Sequence, residues 1–123
     1  MKKRPKLDPG VILALTAQVP PGRLTTYGTL ARIAGRPGGA RAVGQVLKRN
    51  PDPERVPCYR VVRSDGRLGG YHGTSAAGLK RKAARLQADG IELIPGPEPR
   101  VRNLERLLFK AFRTPGRGQI KRL

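Results

Sequence analysis

With 123 residues, 37% of them hydrophobic and 4% aromatic with no Trp, the chain suits one compact domain with an aliphatic core and leaves little room for two. Lys and Arg number 26 against eight acids, a formal +18 with a pI near 11.6. Such an excess repels itself unless a polyanion neutralises it, so nucleic acid is the expected partner, with binding that weakens steeply in salt.

Met1–Lys6 is a basic arm without the apolar run and cleavage site of a signal peptide. Asp8 before Pro9 reads as an N-cap with Pro at the first helical position, and Val11, Ile12, Leu13 and Leu15 form a first helix closed by Pro20-Pro21-Gly22. Thr25 and Thr26 are candidate caps for a second helix, Tyr27 to Ala34, in which Leu30, Ile33 and Ala34 share a face. After the Gly35-Arg36-Pro37-Gly38 turn, a third helix is predicted from about Gly39 to Arg49, with Val43, Val46 and Leu47 on one side. Two short helices joined by a tight Gly-containing turn fit a helix-turn-helix, whose second helix contacts DNA, although many helical hairpins look alike. Asn50-Pro51-Asp52-Pro53 stops that helix.

A strand-like stretch ends at Val61-Val62, Ser64-Asp65-Gly66 is a turn, and Arg67 to Tyr71 is read as a returning strand. A basic helix spans Ala76 to Ala88 with Leu79, Ala83 and Leu86 inward and Gly90 at its end. Ile91 to Pro99 reads as irregular, and Leu104, Leu107 and Leu108 suggest a last short helix. The expected fold is mainly α with a small β-hairpin, a winged helix-turn-helix. Its expected parts are a basic arm (1–7), one DNA-binding domain (8–112) and a basic disordered tail (113–123) that adds salt-sensitive affinity.

No apolar run approaches the ~20 residues of a spanning helix, so no membrane role is expected. One Cys excludes an internal disulfide, and one Cys with one His, His72, argues against a protein-built zinc site. An intracellular location follows as the expectation, in a prokaryote the cytoplasm or nucleoid.

Thr26-Tyr27-Gly28, Ala40-Arg41-Ala42-Val43-Gly44, Asn50-Pro51, Pro57-Cys58-Tyr59-Arg60-Val61-Val62 and Gly69-Gly70-Tyr71 stand in this order along the chain. Together they resemble the DNA-binding domain of O6-alkylguanine-DNA alkyltransferases, over roughly Val11 to Gly90 and without a gap from Tyr27 to Val62. The resemblance implies a mechanism. A base inside a duplex is out of reach of a side chain and has to be flipped out. Arg41 matches the arginine that fills the vacated stack, and its small neighbours Gly38, Gly39, Ala40, Ala42 and Gly44 let the helix approach the minor groove. Read without the family, Arg41 is one of many phosphate-binding arginines.

Tyr27 matches the tyrosine that rotates the nucleotide, and Asn50 the hinge between recognition helix and active-site loop, although Asn50 also suits a helix C-cap. Cys58 matches the nucleophile, which keeps the alkyl group as a thioether after a single turnover. The carbonyls of Cys58 and Val61 and the N–H groups near Tyr71 and His72 are expected to read the base. Arg60 is placed with the DNA contacts and as part of the positive field that favours a thiolate. No cofactor or metal is required.

The family motif is Pro-Cys-His-Arg, and this chain has Pro-Cys-Tyr-Arg. The family's His, oriented by a Glu, helps make the thiolate through water. Tyr59, the residue in that catalytic position, has a reference pKa near ~10 and is no base near neutrality. The Glu position falls near Asp89. An unassisted thiol of pKa ~8.5 is a few per cent thiolate at pH 7, so losing activation costs on the order of 10 to 10³ in rate.

Three readings follow. The favoured one is a DNA repair enzyme that flips O6-alkylguanine from double-stranded DNA and transfers the alkyl group irreversibly to Cys58. The second is an alkyltransferase-like lesion sensor that leaves the base intact and recruits excision-repair proteins; typical members replace the nucleophile with Trp or Ala. The third is a winged-helix regulator or architectural DNA binder with an incidental Cys. Charge alone does not separate DNA from RNA, and a monomer is the simplest assumption.

Overall fold

The computed structural model describes residues 6–69 and 75–114. Tyr71 and His72, expected in the base pocket, lie outside the described residues, as do most of the basic arm and the tail from residue 115.

Helix α1 (Pro9–Ala17) starts as its sequence dictates, with the Asp8 carboxylate accepting the Gly10 N–H at 2.8 Å and Pro at the first position. Helix α2 (Tyr27–Ile33) is capped by Thr26, whose Oγ1 accepts the Thr29 N–H at 3.0 Å. Helix α3 (Ala40–Lys48) follows a turn in which Gly35 and Gly38 take positive φ. At Gly39 a Cβ would sit 2.9 Å from the Arg36 carbonyl oxygen, so no other residue fits the entry to α3 without a shift. Ile12, Leu15, Leu30, Ala31, Val43 and Leu47 bury together with Tyr27 and Val61 as one apolar cluster. This cluster locks the three helices into the expected helix-turn-helix.

A second cluster, Leu24, Val62, Leu68, Leu86, Ile91 and Val101, joins α4 (Ala76–Ala88) to the C-terminal segment. Ser75 caps α4 by accepting the Gly78 N–H. The helix closes with Gly90 at positive φ and the Ile91 N–H bonded to the Leu86 carbonyl, the Gly-terminated ending that its sequence predicts.

The strands are arranged differently from the expectation. Among the described residues Val61–Val62 (β2) does not pair with the segment from Arg67 but lies parallel to Thr25–Thr26 (β1), in register Thr25 to Val61 and Thr26 to Val62. The turn at Gly66 does form, yet Arg67 returns onto Arg100. The antiparallel hairpin is Leu93–Ile94 (β3) with Arg100–Val101 (β4), in the stretch expected to be irregular. The physical reason is burial. Val61 and Val62 are both fully buried, one in each cluster, so β2 needs a covered neighbour on the helix-turn-helix side rather than an exposed wing. Short helix α5 (Leu104–Leu107) brings Leu108 beside Leu24 as a further parallel bridge. The chain stays anchored through Arg113, whose backbone N–H and carbonyl both bond the Gln18 side chain at 2.7 Å.

Candidate active site and DNA-facing surface

The loop after α3 carries Cys58 to the seam between the two clusters. Asn50 sets its path: the side-chain amide donates to the Val56 carbonyl at 2.7 Å, while its oxygen accepts the Asp52 N–H at 3.0 Å. The helix C-cap is Arg49, which leaves the Asn50 side chain to tie the end of α3 to the cysteine loop. Cys58–Arg60 then forms one 3₁₀ turn, with the Arg60 N–H on the Pro57 carbonyl and the Val61 N–H on the Cys58 carbonyl.

This turn sends consecutive side chains to opposite sides. Cys58 is partly buried and packs against the helix-turn-helix cluster, whereas Tyr59 packs against the α4 cluster. The Tyr59 hydroxyl donates to Asp89 Oδ2 at 2.8 Å and accepts from Arg60 Nη2 at 2.7 Å. Arg60 also donates from Nε to Asp89 at 3.0 Å and from Nη1 to the Val19 carbonyl at 2.9 Å. Its side chain is only 13% exposed, so Arg60, expected among the DNA contacts, is an internal clamp instead. Arg85 stacks over the Tyr59 ring at 4.5 Å. Burial, then the bond to Asp89, holds the Tyr59 phenol above its ordinary value of 10.0, against the pull of Arg60. Tyr59 and Asp89 thus stand where the family relay is expected, but they are bonded to each other and to Arg60.

On the Cys58 side the structure brings in a residue that the sequence reading missed. Lys82, from the middle of α4, donates from Nζ to the Val61 carbonyl at 2.6 Å and lies 3.4 Å from the Tyr27 hydroxyl. Tyr27 is 6% exposed, and its ring face lies 5.6 Å from the same ammonium. The Lys82 residue keeps some surface, but its charged end is the buried end. Burial lowers the ammonium to about 8. Among the described residues no carboxylate lies within ion-pair distance of Lys82. A signal was present in the sequence: Lys82 is three residues after Leu79 and four before Leu86, on the face of α4 that turns inward. Lys82 therefore joins Tyr27 and Val61, two members of the cluster against which Cys58 packs. A metal is not suggested by the side chains: no group of three or more His, Cys, Asp or Glu is gathered among the described residues.

Arg41 stands apart from this cluster. It is exposed at the second position of α3, between Ala40 and Ala42, with Gly44 one turn on. A helix with small residues and one protruding arginine, linked through Asn50 to a half-buried cysteine, fits a helix-turn-helix DNA-binding module. The chain belongs to the family of the 6-O-methylguanine DNA methyltransferase DNA-binding domain, whose model matches residues 11–91.

Similar proteins include a bifunctional methyltransferase/endonuclease of Picrophilus torridus, 47% identical over 101 residues, which cover 82% of this chain and 31% of that one. A DNA base-flipping protein of Vibrio parahaemolyticus is 38% identical over 82 residues, covering 67% of this chain and 78% of its own length. The structure of S. pombe Atl1 in complex with damaged DNA containing O6-carboxymethylguanine superposes with a TM-score of 0.72 at 31% identity, covering 83% of this chain and 94% of Atl1. The chain spans about a third of the length of the first of these relatives.

Proposed function

We propose that this protein repairs O6-alkylguanine in double-stranded DNA by taking the alkyl group onto Cys58. The observation that carries the reading is the placement of Cys58, partly open at the seam and packed against the cluster that holds Tyr27 and Val61, the two residues that bond the Lys82 ammonium. A cation near a thiol favours the thiolate, the form that attacks carbon. In this reading Arg41 enters the stack from α3, Tyr27 and the Val61 carbonyl face the flipped guanine, and Asn50 keeps the two parts in register. The sulfur displaces guanine O6 from the alkyl carbon in line, and the resulting thioether ends the protein's useful life. The formal +18 supplies the sequence-independent part of the affinity.

The second reading is a sensor that flips the base and leaves it alkylated. It is favoured by the match to a base-flipping protein over 78% of that protein's length, and by Tyr59, whose hydroxyl is bonded to Asp89 instead of serving the thiol. Incubation with a duplex holding one O6-methylguanine, followed by intact protein mass, separates the two. Alkyl transfer predicts a gain of one methyl in the wild type and none in Cys58→Ala. An unchanged mass together with tighter binding to the lesion duplex than to normal duplex favours the sensor.

A further inference from the structure

Between the start of α1 and one flank of α3 lies a groove of about 460 Å³, a size that suits a bound ligand. Leu7, Leu13 and Val46 supply its apolar lining, and Lys6, Arg36 and Arg49 supply three cations. The three apolar residues also pack inward on the helix-turn-helix cluster, which fixes the shape of the groove. None of the lining residues belongs to the cysteine loop, and Arg41 is not among them. At the ~100° per residue of an α-helix, Arg49 and Val46 lie roughly 80° and 140° around α3 from Arg41. The groove therefore occupies the flank between the exposed arginine and the buried Val43 and Leu47.

The charge of the groove is not compensated from within. Among the described residues no carboxylate stands within ion-pair distance of Lys6, Arg36 or Arg49. Asp8, close by in sequence, is engaged in capping α1. The stem of Arg36 lies over Gly39, where an added Cβ would meet its Cγ and Cδ at 3.1 and 3.2 Å, and its Nε is buried without an acceptor among the described residues. A buried donor left unanswered is costly, and an acidic group in the groove is the acceptor it lacks. Charge also narrows the occupant. Residues 1–5 bring Lys2, Lys3 and Arg4, and a second copy brings a formal +18, so neither complements three cations. A phosphate backbone answers the cations but leaves the apolar lining uncovered.

We propose that this groove docks a short segment of a partner protein in which acidic side chains flank a bulky apolar one. The apolar side chain packs on Leu13 and Val46, and the carboxylates pair with Lys6, Arg36 and Arg49. The guanidinium of Arg36 offers the planar fork that a carboxylate accepts with both oxygens. Because Arg41 faces another side of α3, the partner and a DNA duplex can be held together. The groove thus gives a second protein a place to dock on a chain already bound to DNA. The proposal holds whether or not Cys58 takes the alkyl group.

The test uses the full chain at physiological ionic strength, where long-range attraction is screened. The probe is a fluorescein-labelled peptide of alternating Glu and Leu, with a Glu–Ser peptide of equal charge as control. Lys6→Glu/Arg49→Glu reverses two exposed groove charges, and Lys80→Glu/Arg81→Glu makes the same change of net charge on the exposed face of α4. Circular dichroism checks both folds. Fluorescence anisotropy is expected to show the Glu–Leu peptide bound about tenfold more tightly than the Glu–Ser peptide, a loss of about tenfold in the groove variant and under about threefold in the α4 variant. The peptide is expected to stay bound when an O6-methylguanine duplex is added. Equal affinity for the two peptides, or equal losses in the two variants, overturns the proposal and leaves unspecific charge attraction. Displacement of the peptide by the duplex overturns it in favour of a phosphate contact. A gain of about tenfold in Lys2→Ser/Lys3→Ser/Arg4→Ser assigns the groove to residues 1–5 instead, and a wild-type dimer that the groove variant loses assigns it to a second copy.

Discussion

Cys58 and Tyr59 are neighbours in the chain, yet they belong to two regions built on opposite principles. Around Tyr59 every strong polar group is answered: phenol to carboxylate, guanidinium to carboxylate, phenol and the Val19 carbonyl. Around Cys58 a lysine ammonium is buried against a carbonyl and a tyrosine, with no carboxylate at ion-pair distance among the described residues. A satisfied network rigidifies, whereas an incompletely compensated buried charge is a cost that folding alone does not justify. The difference separates a clamp that holds the cysteine loop on α4 from a buried cation short of partners among the described residues. The sequence motif does not make that distinction, because the resemblance drew attention to Tyr59 and left Lys82 without a role.

The comparison can be broken most severely on the clamp side. Asp89→Ala leaves Arg60, 13% exposed, without its counter-charge, and should cost about 3–5 kcal/mol in urea unfolding. A loss under ~1 kcal/mol would show that the Tyr59 region is not the clamp described. On the DNA-facing side, Arg41→Ala should weaken binding to an O6-methylguanine duplex about ten- to a hundredfold, roughly 1.4–2.8 kcal/mol, while unfolding is unchanged because Arg41 is exposed. Fluorescence anisotropy at fixed salt checks this, and equal loss on normal duplex would reduce Arg41 to a phosphate contact.

Stability against pH gives a finer contrast. Lys82 titrates at about 8 when folded and near ~10.4 when unfolded, so between these values the unfolded chain holds more protons and stability rises with pH. Tyr59, held above 10.0 in the folded state, acts in the opposite sense once the unfolded phenol ionises, near pH 10 and above. Wild type should therefore gain stability relative to Lys82→Met from about pH 8 to 10; parallel curves would contradict the buried, weakened ammonium. The smallest effect is Tyr59→Phe, which removes one hydroxyl from the clamp and should cost about 1 kcal/mol.

The sequence was most legible where local chemistry decides the backbone. Asp8-Pro9, Thr26, Gly35, Gly38 and Gly90 mark helix boundaries because caps and positive φ are local demands, and the helix-turn-helix follows from them. The pairing of the short strands was not legible. A strand of two residues has no period to read, and whether Val61-Val62 pairs with Thr25-Thr26 or with Arg67 is settled by which partner buries both valines. Cys58, Tyr27 and Val61 were singled out by their pattern; the structure packs Cys58 against the cluster of the other two, and both of those bond Lys82. Arg60 was misplaced because a conspicuous arginine beside a nucleophile says nothing about the carboxylate 29 residues later that holds it. Lys82 was hidden among Lys80, Arg81 and Arg85, whose excess of charge masks the α4 cation that turns inward.

The central claim is that Cys58 is the acceptor and works once. The most direct measurement is a titration of protein against excess O6-methylguanine duplex, counting the guanines restored after base analysis at long times. The account predicts a plateau of one guanine per wild-type chain, none for Cys58→Ala, and the methyl recovered on the peptide that contains Cys58. A plateau of zero for wild-type protein that still binds the lesion would contradict it, and leave a module that finds alkylated guanine without repairing it.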